Sequence, residues 1–142
     1  MQLELIRSSH SVGRNLWVFE WCTKYCYRMM RKWENMKLVE ACIRQAAHRQ
    51  GIKIMKIKVL HEHIHMVTSL PKGMKEEDAV RLMKGGSSRN LFQVKERFGL
   101  IYPRHHFWSR GYFAHTAGVT DLQTQLDYAE SQESHHGVLY LS

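Results

Sequence analysis

The stretch from Ile52 to Leu70 constrains the fold more than any other part of the chain. Ile52 to Leu60 sets Lys53, Lys56 and Lys58 among Ile, Met and Val, the pattern of a strand with one wet face. His63 to Leu70 is again β-branched and apolar, and it stops at Pro71. A tight connection at His61-Glu62 predicts that the two strands form a hairpin. Side chains alternate faces along a strand, so His63 and His65 share one face and Ile64 and Met66 the other. Imidazoles about 7 Å apart on one pleat face can converge on a single metal ion, with nitrogen favouring the softer divalent ions. His61 leaves a three-histidine row as an open alternative.

The remaining elements assemble around that hairpin. The aromatic run from Val12 to Met30 predicts a first strand, long and bent. Asn35 can cap a helix whose stripe is Met36, Val39, Ile43 and Ala46, with Gly51 just past its end. Glu76 and Glu77 suit the start of a second helix, which the run Lys84-Gly85-Gly86-Ser87-Ser88-Arg89 is expected to break; helical spacing resumes at Leu91, Val94 and Phe98. Residues 105–113 predict another strand. Gly118 marks a joint, and Thr120-Asp121-Leu122-Gln123 opens a last helix with capping-box chemistry. The order strand, helix, strand, strand, helix, strand predicts an α+β class: a ferredoxin-like split βαβ antiparallel sheet with helices on one face. His63 and His65 are expected on the other face.

At 142 residues the chain is expected to form one domain, 1–142. Its 21 Lys and Arg against 13 Asp and Glu give a net charge of +8, which favours an anionic partner such as nucleic acid. Cys22, Cys26 and Cys42 form no CxxC pair, as expected of reduced thiols in a cytoplasmic protein. No apolar run approaches the roughly 18 residues of a membrane span, and the first residues lack the apolar core of a signal peptide.

Two further groups carry chemistry. Tyr128 and Gln132 stand at i and i+4 on one face of the last predicted helix. Tyr128 is either a partly buried aromatic with one hydrogen bond or a nucleophile toward phosphorus. Its ordinary pKa near 10 requires help at neutral pH, and a divalent cation would supply it. Lys84, Arg89, Lys95, Arg97, Arg104 and Arg110 are candidate phosphate contacts, and Ser88 or Ser87 can cap a helix start that favours phosphate. Trp108, Tyr112, Trp17 and Trp21 are candidate platforms for unpaired bases.

Four blocks in this order resemble the single-tyrosine HUH transposases (TnpA type) of small insertion sequences. They are His63-Ile64-His65-Met66-Val67-Thr68-Ser69-Leu70-Pro71, Leu82 to Phe92, Phe107 to Phe113, and Tyr128-Ala129-Glu130-Ser131-Gln132. Gly86 departs from the family, where a basic residue is frequent, and Ala129-Glu130-Ser131 is smaller than the usual run. The resemblance implies a catalytic Tyr128 on a C-terminal helix, and Mg²⁺ or Mn²⁺ held by His63, His65 and Gln132. It also implies DNA contacts at Lys84, Ser88, Arg89, Arg104, Trp108 and Arg110. The expected activity is cleavage and rejoining of single-stranded DNA at hairpin-bearing insertion-sequence ends through a 5′-phosphotyrosine bond. The expected assembly is a homodimer whose active sites are shared between subunits. The alternatives are a domesticated hairpin-specific nuclease of the same type and a non-catalytic nucleic-acid-binding ferredoxin-like module.

Overall fold

The computed structural model describes residues 15–117. The chain runs through β1 (Leu16–Cys22), a 3-10 turn (Lys24–Cys26), α1 (Trp33–Arg49), β2 (Lys53–Val59) and β3 (His63–Ser69). It continues through α2 (Glu76–Val94), α3 (Phe98–Ile101) and β4 (Phe113–Thr116). The sheet order is β2-β3-β1-β4, with every neighbouring pair antiparallel. This is the predicted split βαβ arrangement. The expected helix carrying Tyr128 and Gln132 and the joint at Gly118 lie outside the described residues.

The hairpin forms as its sequence demands: Ile64 pairs with Val59 and Met66 with Ile57, and Leu60 N–H donates to the His63 carbonyl across the joint. Ile64 and Met66 are buried with Phe19, Trp21, Val39, Ile43, Met83 and Leu91 in one core that joins the sheet to α1 and α2. Each such side chain contributes roughly 1.5–3 kcal/mol through burial.

Helix α1 ends as expected. Ile52 N–H reaches the Ala47 carbonyl and Gly51 N–H the His48 carbonyl, with Gly51 at φ +71°. That is a Schellman cap, and it needs a left-handed residue at Gly51. The start of α1 differs from the expectation. The helix begins at Trp33 with Lys32 at the cap, and Asn35 is a buried first-turn residue whose Oδ1 accepts from Lys95 Nζ at 2.8 Å.

Three other expectations are corrected. The first strand ends at Cys22, where Tyr25 and Cys26 turn the chain at positive φ. Helix α2 runs unbroken through Lys84–Arg89. The small residues there serve packing: a Cβ on Gly86 would sit 2.9 Å from the Ala46 Cβ of α1, so Gly86 sets the close approach of the two helices. The strand expected over 105–113 is instead a loop, with β4 beginning at Phe113. Its aromatics plug the end of the core: Phe107 packs on Trp108 at 4.8 Å and Trp108 meets Trp21 edge-on at 6.0 Å. Aromatic residues raise strand propensity and fill cores alike, so composition alone does not separate the two outcomes.

Candidate active site

Alternation along β3 turns His63 and His65 away from the core that holds Ile64 and Met66. The sheet register fixes their neighbours. On β1, Cys22 stands across from His63 and Glu20 across from His65. On β2, Lys58 stands across from His65, and β4 adds Phe113 beside Glu20 and His115 beside Val18. A register shift between Ile54 and Lys56 brings Lys53, Lys56 and Lys58 to this same face, opposite Ser69, Val67 and His65. Without that bulge the 53/56/58 spacing would split the lysines between faces. Leu16, Val18 and Val67 form a second, small apolar cluster on this side with Met55 and Ala117.

His63 is held from both ring nitrogens. Its Nδ1 lies 2.8 Å from Glu62 Oε1, and its Nε2 lies 3.4 Å from Glu20 Oε1. A carboxylate on one imidazole nitrogen orients the ring and raises the donor strength of the other, the arrangement found behind metal-bound histidines. His65 is 5% exposed. Burial holds its pKa below the ordinary value; the Glu20 carboxylate opposes that shift, and His63 and His115 add to it. A neutral imidazole is the form that binds a cation. His61 lies in the connection before β3, buried, with its carbonyl accepting from Met30 N–H at 3.0 Å; the strand row is therefore His63 and His65.

The donor chemistry suits a divalent cation: two imidazoles, one kept neutral, with a carboxylate beside them. Among the described residues no three His, Cys, Asp or Glu side chains form a ready-made cation cluster. A divalent cation held here would draw on a donor that moves or one from elsewhere in the chain. Gln132, the third ligand implied by the resemblance, lies outside the described residues, as does Tyr128.

A second candidate region is a groove of about 770 Å³ between α2 and residues 105–112. It gathers Lys84, Ser88, Arg89, Trp108 and Arg110 along its walls. Their roles divide. Lys84 Nζ donates to the carbonyls of Ser109, Arg110 and Gly111 and lies 5.9 Å from the Trp21 ring centre; burial lowers its pKa. Ser88 Oγ donates to the His105 carbonyl and accepts from Phe107 N–H, each at 3.2 Å. Trp108 is 6% exposed and donates its indole N–H to Ser87 Oγ at 2.9 Å.

Lys84, Ser88 and Trp108 thus fasten the loop to α2. The base-stacking expectation for Trp108, and for the buried Trp21, is corrected: their rings belong to the core. Tyr112 is half-exposed, and its hydroxyl donates to Glu76 at 2.7 Å. That bond to a carboxylate raises its phenol pKa to about 12. Arg89 and Arg110 are exposed at the groove. Arg104 is exposed elsewhere, on a smaller cavity beside Lys24 and Tyr25. Lys95 is tied to Asn35 at 2.8 Å.

Sequence reasoning did not place Glu20, Lys58 and His115 beside the histidines. Nothing in their spacing singles them out, because only strand register brings them beside the histidines. The lysine pattern of β2 was the one available signal, and it indicated a wet face without saying which.

The family model described as "Transposase IS200 like" matches residues 17–132. The chain belongs to this family. The match spans both the histidine pair and the Tyr128–Gln132 segment. The IS200-like chain is 29% identical to the transposase for insertion sequence element IS200 of Salmonella typhimurium over 99 residues, covering 70% of this chain. That alignment spans 64% of the Salmonella protein. It is 25% identical over 116 residues to the ISDra2 transposase TnpA of Deinococcus radiodurans, covering 79% of each.

Two solved structures share the fold. One is a Deinococcus radiodurans crystal structure with TM-score 0.66 and 20% identity, covering 82% of this chain and 89% of that one. The other is a REP-associated tyrosine transposase bound to a REP hairpin, with TM-score 0.62 and 17% identity, covering 89% and 70%. Among the described residues no helix is long and apolar enough to cross a membrane.

Proposed function

We propose that this IS200-like chain is a transposase that cuts and rejoins single-stranded DNA at insertion-sequence ends, using Tyr128 as nucleophile. The observation that carries the reading is the paired His63 and His65 on the face away from the core, with His63 oriented by Glu62 at 2.8 Å. The family match through residue 132 adds the tyrosine segment. The Tyr128 oxygen attacks a backbone phosphorus, the bond to the 3′ oxygen breaks, and a 5′-phosphotyrosine forms. The departing oxygen takes up a proton and becomes a free 3′-OH. The covalent bond keeps the energy of the broken phosphodiester, so rejoining needs no nucleotide cofactor.

His63, His65 and Gln132 would hold Mg²⁺ or Mn²⁺. Bound there, the ion would polarise the scissile phosphate and offset its developing charge. Lys53 and Lys56 lie on the same face as the histidines, at its β2 side, and their positive charge favours a phosphate backbone. Arg89 and Arg110 offer a second contact region at the groove. The likeness to a tyrosine transposase bound to a hairpin supports hairpin DNA as the bound form. In a homodimer, the last helix of one subunit would complete the site of the other. A domesticated nuclease acting on repeated hairpins shares all these parts and differs in its genomic setting.

The test is incubation of a hairpin-ended single-stranded oligonucleotide with Mn²⁺, followed by denaturing electrophoresis. An adduct resistant to denaturant is expected for the native chain and none for Tyr128→Phe, with DNA binding retained. A DNA shift without any adduct would indicate the non-catalytic binding module instead.

A further inference from the structure

We propose that Glu20 supplies an anionic oxygen to the divalent cation at His63 and His65, an inference that rests on the histidine-pair reading above. Glu20 lies mid-way along the inner strand β1, directly across from His65 and on the same face. Glu62 engages Nδ1 of His63 at 2.8 Å, so Nε2 is the nitrogen that would face a cation. Glu20 Oε1 stands 3.4 Å from that same Nε2. Two neighbouring donors, each about 2.1 Å from one octahedral cation, lie about 3 Å apart. The carboxylate is therefore within a small side-chain rotation of a shared ligand position. With 38% of its side chain exposed, Glu20 has room to make that rotation.

Charge points the same way. The ligands implied for this site, two imidazoles and an amide, are all neutral. Lys53, Lys56 and Lys58 occupy the adjoining strand on the same face, and their field repels a cation. Among the residues of the four strands, Glu20 is the only carboxylate. It offsets the lysines where the ion would sit. Oxygen also shifts the donor set toward harder ions: two imidazoles alone favour zinc-like ions, and an added carboxylate suits Mn²⁺ and Mg²⁺. No spacing motif marks Glu20, because it precedes the histidines by more than forty positions and meets them only through strand pairing.

The experiment is titration of the full chain with MnCl₂ in a calorimeter, without DNA, for the native protein, E20Q, E20D, H63A and H65A. Thermal unfolding in EDTA checks that each variant folds. E20Q is expected to weaken Mn²⁺ binding about tenfold or more, with the unfolding midpoint in EDTA unchanged. E20D keeps a carboxylate and is expected to bind Mn²⁺ more tightly than E20Q. Native-like binding by E20Q beside loss in H63A overturns the Glu20 role and leaves the histidine reading standing. So does an E20D weaker than E20Q. Native-like binding by H63A and H65A as well overturns both.

Discussion

At the groove between α2 and residues 105–112, Lys84, Ser87 and Ser88 direct their polar atoms at the protein's own loop and at the Trp108 indole. On the histidine face, Glu62 and Glu20 bracket an imidazole whose ordinary chemistry is metal binding and proton transfer. Both regions are basic, and both contain residues expected to serve DNA. Their difference lies in what a polar side chain touches. In the groove most of the conspicuous residues hold the fold, and the exposed Arg89 and Arg110 remain for a partner. On the histidine face the fold is held by the other side of the same strands, through Ile64 and Met66. The imidazoles stand on the opposite side of β3 from that core.

That contrast can be broken by substitution. Trp108→Ala should cost about 3–5 kcal/mol of stability, because it removes a buried indole and its edge contact with Trp21; chemical denaturation reads it directly. A loss under 1 kcal/mol would return Trp108 to the list of DNA contacts. His63→Ala should reverse the pattern. Metal-dependent adduct formation should fall by about 100-fold or more while the unfolding midpoint stays near native, checked by gel assay and thermal melt.

Lys84→Met keeps the stem and removes the donor to three carbonyls. It should destabilise by about 1–3 kcal/mol, and DNA affinity at fixed salt should change less than stability does. The smallest effect belongs to Arg89→Ala. Stability should hold within about 0.5 kcal/mol, and the slope of log affinity against log salt should drop by about one. An unchanged slope would take Arg89 off the DNA path.

Much of this was legible in the chain itself. The hairpin, the alternation that separates His63 and His65 from Ile64 and Met66, and the Gly51 helix stop all follow from local pattern and sterics. The strand order follows from the succession of elements. Two kinds of feature were not legible. Gly85 and Gly86 read as a helix break because glycine lowers helix propensity, yet Gly86 is favoured inside α2 by the nearness of Ala46, a tertiary fact. Trp108 read as exposed and Lys84 as free to bind phosphate because type and spacing carry no information on burial. At the site, the imidazole pair was visible as a two-residue repeat. Glu20 and Lys58 were not, since they reach it across strand pairings set by register.

The central claim is that the cation site lies on the histidine face and not in the α2 groove. Amide NMR spectra recorded with substoichiometric Mn²⁺ test it most directly, because the paramagnetic ion broadens only nearby signals. The account predicts the strongest broadening around Glu20, His63, His65 and Lys58, with weaker broadening at Arg89, Gln93 and His106 along the groove. Broadening centred on the groove, or none at any residue, would contradict it.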